Sequence, residues 1–315
     1  MDPSHFDSRV TTLAAFCRNS LAALALLFVA WPVAAETAPA VESVATGLQF
    51  PEGTIFVGST LYFVDYATSK VLRLGRDGGV QTVWQQAGCG ANGLVQTSSA
   101  LLVACYDSGV VSEITLDGRL LATIAADDSG RPFVSPNDLT ADKRGGVYFS
   151  TSGSGLVPGK VYYRGADRRV REVASNIRYA NGLAVSNDGE RLYLAESGAN
   201  RLLVYTIAPD GALINGREFV KLGDILSKPG QSVFTPDGVR IDRHGNLFVG
   251  LYRGGGFAVI GSDGRLIRQV DLPVSHHANL AISPDGKYVF ATATDDEAGA
   301  THLGAVLKVA NPIAE

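Results

Sequence analysis

Six short polar motifs recur along this chain at near-even spacing, each at the head of a pair of strand-like runs. They read Pro51-Glu52-Gly53, Ala91-Asn92-Gly93-Leu94, Pro136-Asn137-Asp138-Leu139, Ala180-Asn181-Gly182-Leu183, Pro236-Asp237-Gly238-Val239 and Ala278-Asn279-Leu280-Ala281. The steps between their polar residues are 40, 45, 44, 56 and 42. A period in that range, carried by short strands, predicts a β-propeller whose blades are four-stranded sheets. The fold class expected is therefore all-β: a six-bladed β-propeller. If each motif opens the innermost strand of a blade, the six polar residues converge at one mouth of the central channel.

The segments between motifs follow one grammar. Blade one offers strand-like runs at 54–57, 61–64, 71–74 and 80–84, rich in Val, Leu, Tyr and Phe. Asp-Gly pairs punctuate the chain at Asp77-Gly78, Asp117-Gly118, Asp188-Gly189, Asp210-Gly211, Asp263-Gly264 and Asp285-Gly286, with His244-Gly245 as a variant. Asp-Gly between apolar runs signals a hairpin, because both residues tolerate positive φ at low cost. No window holds a sustained 3.6-residue apolar period, so helices should be minor. Blade six has only three runs after Asn279, near 280–283, 288–292 and 304–309. Its fourth strand is expected from 41–48, closing the last blade with the N-terminal strand and removing an exposed edge. The long step of 56 places an insertion within 222–235. It leads into Asp237 and reads either as a lid or as a plain surface loop.

Residues 1–35 have the form of a cleavable secretory signal. Arg9 and Arg18 precede an apolar run at 21–31, and Val33-Ala34-Ala35 offers a small-residue cleavage site. The run is too short to span a bilayer comfortably, so a periplasmic or secreted protein is expected, with no membrane association after cleavage. Residues 36–41 then read as a linker and 42–312 as a single propeller domain. Two cysteines remain in the mature chain, Cys89 and Cys105, flanking a hairpin placed at 92–96 and 100–104 with Thr97-Ser98-Ser99 as its turn. Pairing Val95 with Leu101 brings the two cysteines close. An exported protein lets them form a disulfide, two buried free thiols being the alternative. The formal charge of −4 is mild and the basic residues are scattered, which argues against nucleic acid as a partner.

Motif scanning excludes several chemistries. There is no G-x-S-x-G elbow, no H-E-x-x-H and no P-loop. Gly88 to Gly93 matches G-x-G-x-x-G, but a hairpin follows it rather than a helix, so it is no dinucleotide site. What remains is the ring: one Glu, one Asp and four Asn. Carboxylate and amide oxygens suit Ca²⁺, which accepts irregular coordination by six to eight oxygens. Zinc prefers His or Cys, and no ring position has either. Asn and Asp capping backbone groups explain each position singly, but not the concentration of polarity in one place. A purely structural ion is the other reading. His276 and His277 precede Asn279 and read either as proton carriers at the mouth or as ordinary loop residues.

Glu52 in Pro-Glu-Gly, Asn137-Asp138, Asn181-Gly182-Leu183 with Asp188-Gly189-Glu190-Arg191-Leu192-Tyr193, and Asp237 in Pro-Asp-Gly occur in order. Together they resemble the signature of the senescence marker protein/gluconolactonase/regucalcin family over residues 41–310. The resemblance implies a propeller lactonase in which Glu52, Asn181 and Asp237 bind one divalent ion and Asn137 lies at the metal or substrate. Ca²⁺ is the expected ion, with Zn²⁺, Mg²⁺ or Mn²⁺ as other divalent occupants. Members nearest regucalcin carry an Arg two residues before the Asn of the Asn-Asp motif, where it holds a sugar hydroxyl; here that residue is Ser135. This departure sets a sugar substrate apart, and the more distant paraoxonases leave aromatic or alkyl lactones and esters open.

The reading that follows is a Ca²⁺-dependent lactone hydrolase opening a sugar or other small lactone to its hydroxy acid. Asp237 is the expected general base, while Asn137, Asn92, Asn279 and His277 are the expected substrate contacts. The alternatives are a non-enzymatic propeller serving as a binding or scaffold module, and a propeller enzyme of another reaction type, such as a strictosidine-synthase-like one.

Overall fold

A computed structural model describes residues 40–226, 234–295 and 303–314. The secretory signal expected at 1–35 and most of the linker expected at 36–41 lie outside these residues, as does the middle of the insertion expected at 222–235. Among the described residues the strands form six antiparallel four-stranded sheets, one per blade of a propeller. The innermost strands are Pro51–Val57, Ala91–Gln96, Pro136–Ala141, Ala180–Val185, Thr235–Ile241 and Leu280–Ile282 in blades 1 to 6. In the last blade Val41–Leu48 pairs with Gly304–Ala310, so the N-terminal strand closes the ring as expected.

The blades are held by the apolar residues of their middle strands, which are buried on both faces. Leu101–Cys105 is buried at every position, and so are Val147–Thr151 and Gly256–Ile260. Core residues of adjacent blades form continuous clusters, one joining Ala195 and Leu202 of blade 4 to Val249 and Leu251 of blade 5. The outermost strands are half solvated, as Val80–Gln85 and Leu120–Ile124 illustrate. Sheet faces thus pack blade on blade, while the rim meets water.

In blades 1 to 5 the motif forms the opening residues of the innermost strand, as expected, whereas in blade 6 Asn279 stands just before Leu280–Ile282. In blades 1 to 5 the pairing to the second strand shifts register at the motif, between Glu52 and Ile55, Ala91 and Gly93, Pro136 and Leu139, Ala180 and Leu183, and Pro236 and Val239. A bulge re-aims a side chain and bends its strand. Five blades use one bulge at one position to turn a polar side chain into the channel.

The glycine after the ring residue permits close packing around the axis. A Cβ on Gly93 would stand 2.3 Å from the carbonyl oxygen of Asn137, and one on Gly182 would stand 2.2 Å from that of Asp237. Blades 2 and 4 therefore lean their bulges onto the backbone of the next blade.

Two local expectations change. The hairpin of blade 2 pairs Val95 with Leu102 and Gln96 with Leu101, one residue away from the expected register. Its turn holds four residues because the Thr97 hydroxyl accepts from the Ala100 N–H and donates to the Ala100 carbonyl. Cys89 and Cys105 still meet in a disulfide, with Cα atoms 4.6 Å apart; Cys105 pairs with Ala91, two residues beyond Cys89. The described ends of the 222–235 insertion comprise a one-turn helix, Leu222–Ile225, and Phe234; Leu222, Leu226 and Phe234 are buried in the core between blades 4 and 5. The same blade gains length from a 3-10 turn at Ser197–Ala199.

Candidate active site

The five bulges bring Glu52, Asn92, Asn137, Asn181 and Asp237 to one cavity of about 590 Å³ at a mouth of the channel. Four of these are buried: Glu52, Asn137, Asn181 and Asp237. Among the described residues no three His, Cys, Asp or Glu side chains form a metal-ligating group. The ring's donors are instead two carboxylates and a set of amides.

Serines that sequence reasoning did not single out orient two of those amides. Ser152 Oγ donates to the carbonyl of Ala180, so it can only accept from Asn137, whose Nδ2 lies 3.0 Å away. Ser197 repeats the device one blade on. Its hydroxyl donates to the Pro236 carbonyl at 2.6 Å and accepts from Asn181 Nδ2 at 3.2 Å. A serine whose proton is spent fixes the amide's nitrogen toward itself and turns its oxygen away. The second N–H of Asn181 reaches the carboxylate of Asp237. The Oδ1 of Asn181 is left buried with no hydrogen-bond partner. An orphaned buried oxygen is costly unless a ligand completes it.

The sixth motif departs from this pattern. Asn279 stands behind the cavity wall. Its Oδ1 accepts from Arg240 Nη2 at 2.8 Å, from the Leu280 N–H at 3.0 Å and from Thr54 Oγ1 at 3.2 Å, and its amide nitrogen serves Glu52. The expected substrate contact at Asn279 is therefore replaced by a positioning role, because its oxygen is already saturated. His277 is also withdrawn. It is 1% exposed, with Nδ1 against the Thr292 carbonyl and Nε2 against the Pro273 carbonyl, each at 3.0 Å. Both nitrogens are taken by backbone, so the expected substrate contact at His277 is not available.

Beneath the ring lies an ion pair that the sequence reading also missed. Asp138 occupies the place that glycine holds in four of the other motifs. Its Oδ1 accepts from the Leu139 N–H, and its Oδ2 accepts from Arg240 Nη1 at 2.9 Å. Arg240 thus reaches from blade 5 to blades 3 and 6 across the channel. Its only sequence signal is a charge inside the apolar-period strand Thr235–Ile241.

The electrostatics are unbalanced. Three buried acids, Glu52, Asp138 and Asp237, face one guanidinium, leaving two surplus negative charges if all are ionised. Burial, then the charges of Asp237 and Asp138, hold Glu52 well above the usual carboxylate range. Burial, then the charge of Asp138, do the same to Asp237. Buried like-charged acids resist ionising together.

Residues 50–295 match the SMP-30/Gluconolactonase/LRE-like region. The chain belongs to that family. Curated relatives include a pentonolactonase of Haloferax volcanii, 26% identical over 76% of this chain and 80% of its own length. A gluconolactonase of Zymomonas mobilis is 26% identical over 81% of this chain and 79% of its own. Among solved structures, a gluconolactonase from Xanthomonas campestris superposes with a TM-score of 0.69 at 23% identity, covering 85% of this chain and 89% of its own. A calcium-binding regucalcin from Agrobacterium tumefaciens gives 0.67 at 16% identity, covering 86% and 95%. At these identities the structures speak for the fold alone.

The family's ring suits a divalent cation on this chain's own chemistry. A charge surplus of two, an orphaned amide oxygen and all-oxygen donors fit a hard ion such as Ca²⁺. Glu52, Asn181 and Asp237 would hold it, with Asn137 beside them.

Proposed function

We propose that this protein is a lactone hydrolase that works with a divalent cation, Ca²⁺ first, held by Glu52, Asn181, Asp237 and Asn137. The observation that carries this reading is the orphaned Oδ1 of Asn181, a residue that lines the same cavity as two buried acids. The lactonase names of the curated relatives support it.

A divalent ion, when bound, supplies Lewis-acid polarisation of an ester carbonyl and lowers the pKa of a neighbouring water. The residues do the rest. Asp237 takes a proton from the water as its oxygen adds to the lactone carbonyl carbon. The ring C–O bond then breaks, and the proton passes to the departing alkoxide oxygen, giving the hydroxy acid. Asn181 and Asn279 steady the two acids through their N–H groups. Asn92, on the cavity wall, orients the substrate.

Export through the leader at 1–35 forms part of this proposal. The Cys89–Cys105 disulfide supports it, since such bonds persist in oxidising compartments; N-terminal sequencing of the mature protein is its check.

The test is hydrolysis of a panel of sugar, alkyl and aryl lactones, with Ca²⁺ and with chelator, by the protein and by Asp237→Asn. The expected result is turnover that needs the ion and falls by about 10²–10⁴-fold in the variant. An ion that binds while no lactone opens would point to a binding module instead.

A further inference from the structure

The wall above the ring has a chemistry that ester hydrolysis does not require. Phe50, Tyr66, Tyr106, Tyr179 and Tyr252 all line the cavity. Phe50, Tyr66 and Tyr106 stand edge to face in series, with ring centroids 5.9 and 6.1 Å apart. The hydroxyl of Tyr106, from blade 2, lies 3.2 Å from that of Tyr179, from blade 4. The two tyrosines meet across the mouth of blade 3, the blade that carries Ser135. Tyr179 itself holds a left-handed backbone, φ 62°, and is 45% exposed. A bulky residue in that region costs free energy, so the surrounding structure holds it there.

Several of the wall's polar atoms are committed within the protein, although Asn92, Thr235 and Arg253 also line it. The Tyr66 hydroxyl donates to Asp107 at 2.8 Å. One proton of the Tyr106–Tyr179 pair is spent between them, and the Ser197 proton goes to the Pro236 carbonyl. Burial and these contacts push the Tyr66 and Tyr179 phenols above their ordinary range, so both stay neutral. A polyhydroxylated lactone needs many free donors and acceptors, whereas this wall presents ring faces and edges. The cavity of about 590 Å³ falls in the range of about 300–1,000 Å³ that holds drug-sized ligands. Aromatic surfaces pair with aromatic ligands at centroid separations of about 4.5–7 Å.

We propose that this cavity selects lactones bearing an aromatic substituent, and that Tyr106 and Tyr179 form the face that selects them. The proposal rests on the lactone-hydrolase reading above and names the substrate class of that same site.

The test compares kcat/KM for γ-phenyl-γ-butyrolactone, γ-butyrolactone and glucono-δ-lactone in Ca²⁺, for the protein, Tyr179→Ala and Tyr179→Phe. Alongside it, calorimetry measures binding of the two ring-opened hydroxy acids, the phenyl one and gluconate. The phenyl lactone should exceed the unsubstituted one by about ten- to hundredfold, the worth of burying one such ring. Tyr179→Ala should collapse that ratio and Tyr179→Phe should keep it, because the ring and not the hydroxyl makes the contact. A sugar lactone turned over as well as the phenyl lactone overturns the proposal and leaves the hydrolase reading intact. If no lactone turns over but the phenyl hydroxy acid binds and Tyr179→Ala abolishes that binding, the selectivity stands and the hydrolase reading falls. Absence of both turnover and phenyl hydroxy-acid binding overturns the proposal.

Discussion

Ser197 shows how a single hydroxyl governs the site. Its proton is committed to the Pro236 carbonyl, so it receives Asn181 Nδ2 and turns Asn181 Oδ1 into an unpartnered buried acceptor. Ser197→Ala removes that constraint and frees the amide to rotate. The expected result is a loss of Ca²⁺ affinity of about 10–100-fold with the fold retained, read by calorimetry and circular dichroism. Glu52 and Asp237 give a second prediction at this scale. Burial leads the causes that raise both pKa values in the metal-free fold. A raised carboxyl stabilises the fold below its unfolded pKa of about 4 and loses that contribution as pH climbs through the raised value. A divalent ion prefers the ionised pair, so its binding releases protons and tightens with pH. Melts in chelator should therefore fall as pH climbs above the ordinary carboxylate range, and the gain in Tm on adding Ca²⁺ should widen in the same direction. A Ca²⁺-induced gain independent of pH would contradict the assignment of these acids. Glu52, Asn137, Asn181 and Asp237 were legible in the sequence because a polar residue recurred at one blade position. Ser152, Ser197 and Arg240, the partner of Asp138, were not, because they meet the ring and its neighbour Asp138 only through tertiary contacts 15 to 102 residues apart. Asn279 and His277 looked equivalent to their neighbours until hydrogen bonds to Arg240 and to backbone carbonyls took up their polar atoms.

At the scale of the strand, the decisive device is the bulge. Blade number and strand count followed from the spacing of the motifs, since a period near forty residues has few other all-β solutions. The bulge was hidden, because alternation of side chains along a strand says nothing of where its ladder slips. The register of the blade 2 hairpin escaped for a related reason: whether its turn holds three or four residues depends on one Thr97 side-chain contact. Gly182 tests the bulge directly. An added methyl there meets the Asp237 carbonyl oxygen at 2.2 Å, backbone that cannot rotate away. Gly182→Ala should destabilise the protein by about 1–3 kcal/mol. It should also weaken Ca²⁺ binding, since Asp237 must move with its backbone. Urea unfolding at matched Ca²⁺ gives the first effect, and calorimetry gives the second.

For the whole molecule, the channel is closed from within by Arg240. It ties blade 5 to Asp138 of blade 3, to Asn279 of blade 6 and to the Thr54 carbonyl of blade 1. The arginine thus braces the ring below the site, while Val41–Leu48 braces it at the rim. Arg240→Met leaves Asp138 as a buried uncompensated acid and should cost about 3–5 kcal/mol by urea unfolding. Loss of that positive charge adds a third surplus negative charge beneath the ring, so the variant's Ca²⁺ affinity should rise with pH more steeply than the parent's. The central claim, that one divalent ion in this ring activates a lactone, has a direct measurement. Calcium is titrated into chelator-stripped protein, following bound ion and lactone hydrolysis in the same samples. The account predicts one ion per chain, with activity rising in proportion to occupancy and both lost together in Glu52→Gln. Full activity in the stripped protein, or an ion that binds with no change in hydrolysis, would contradict it.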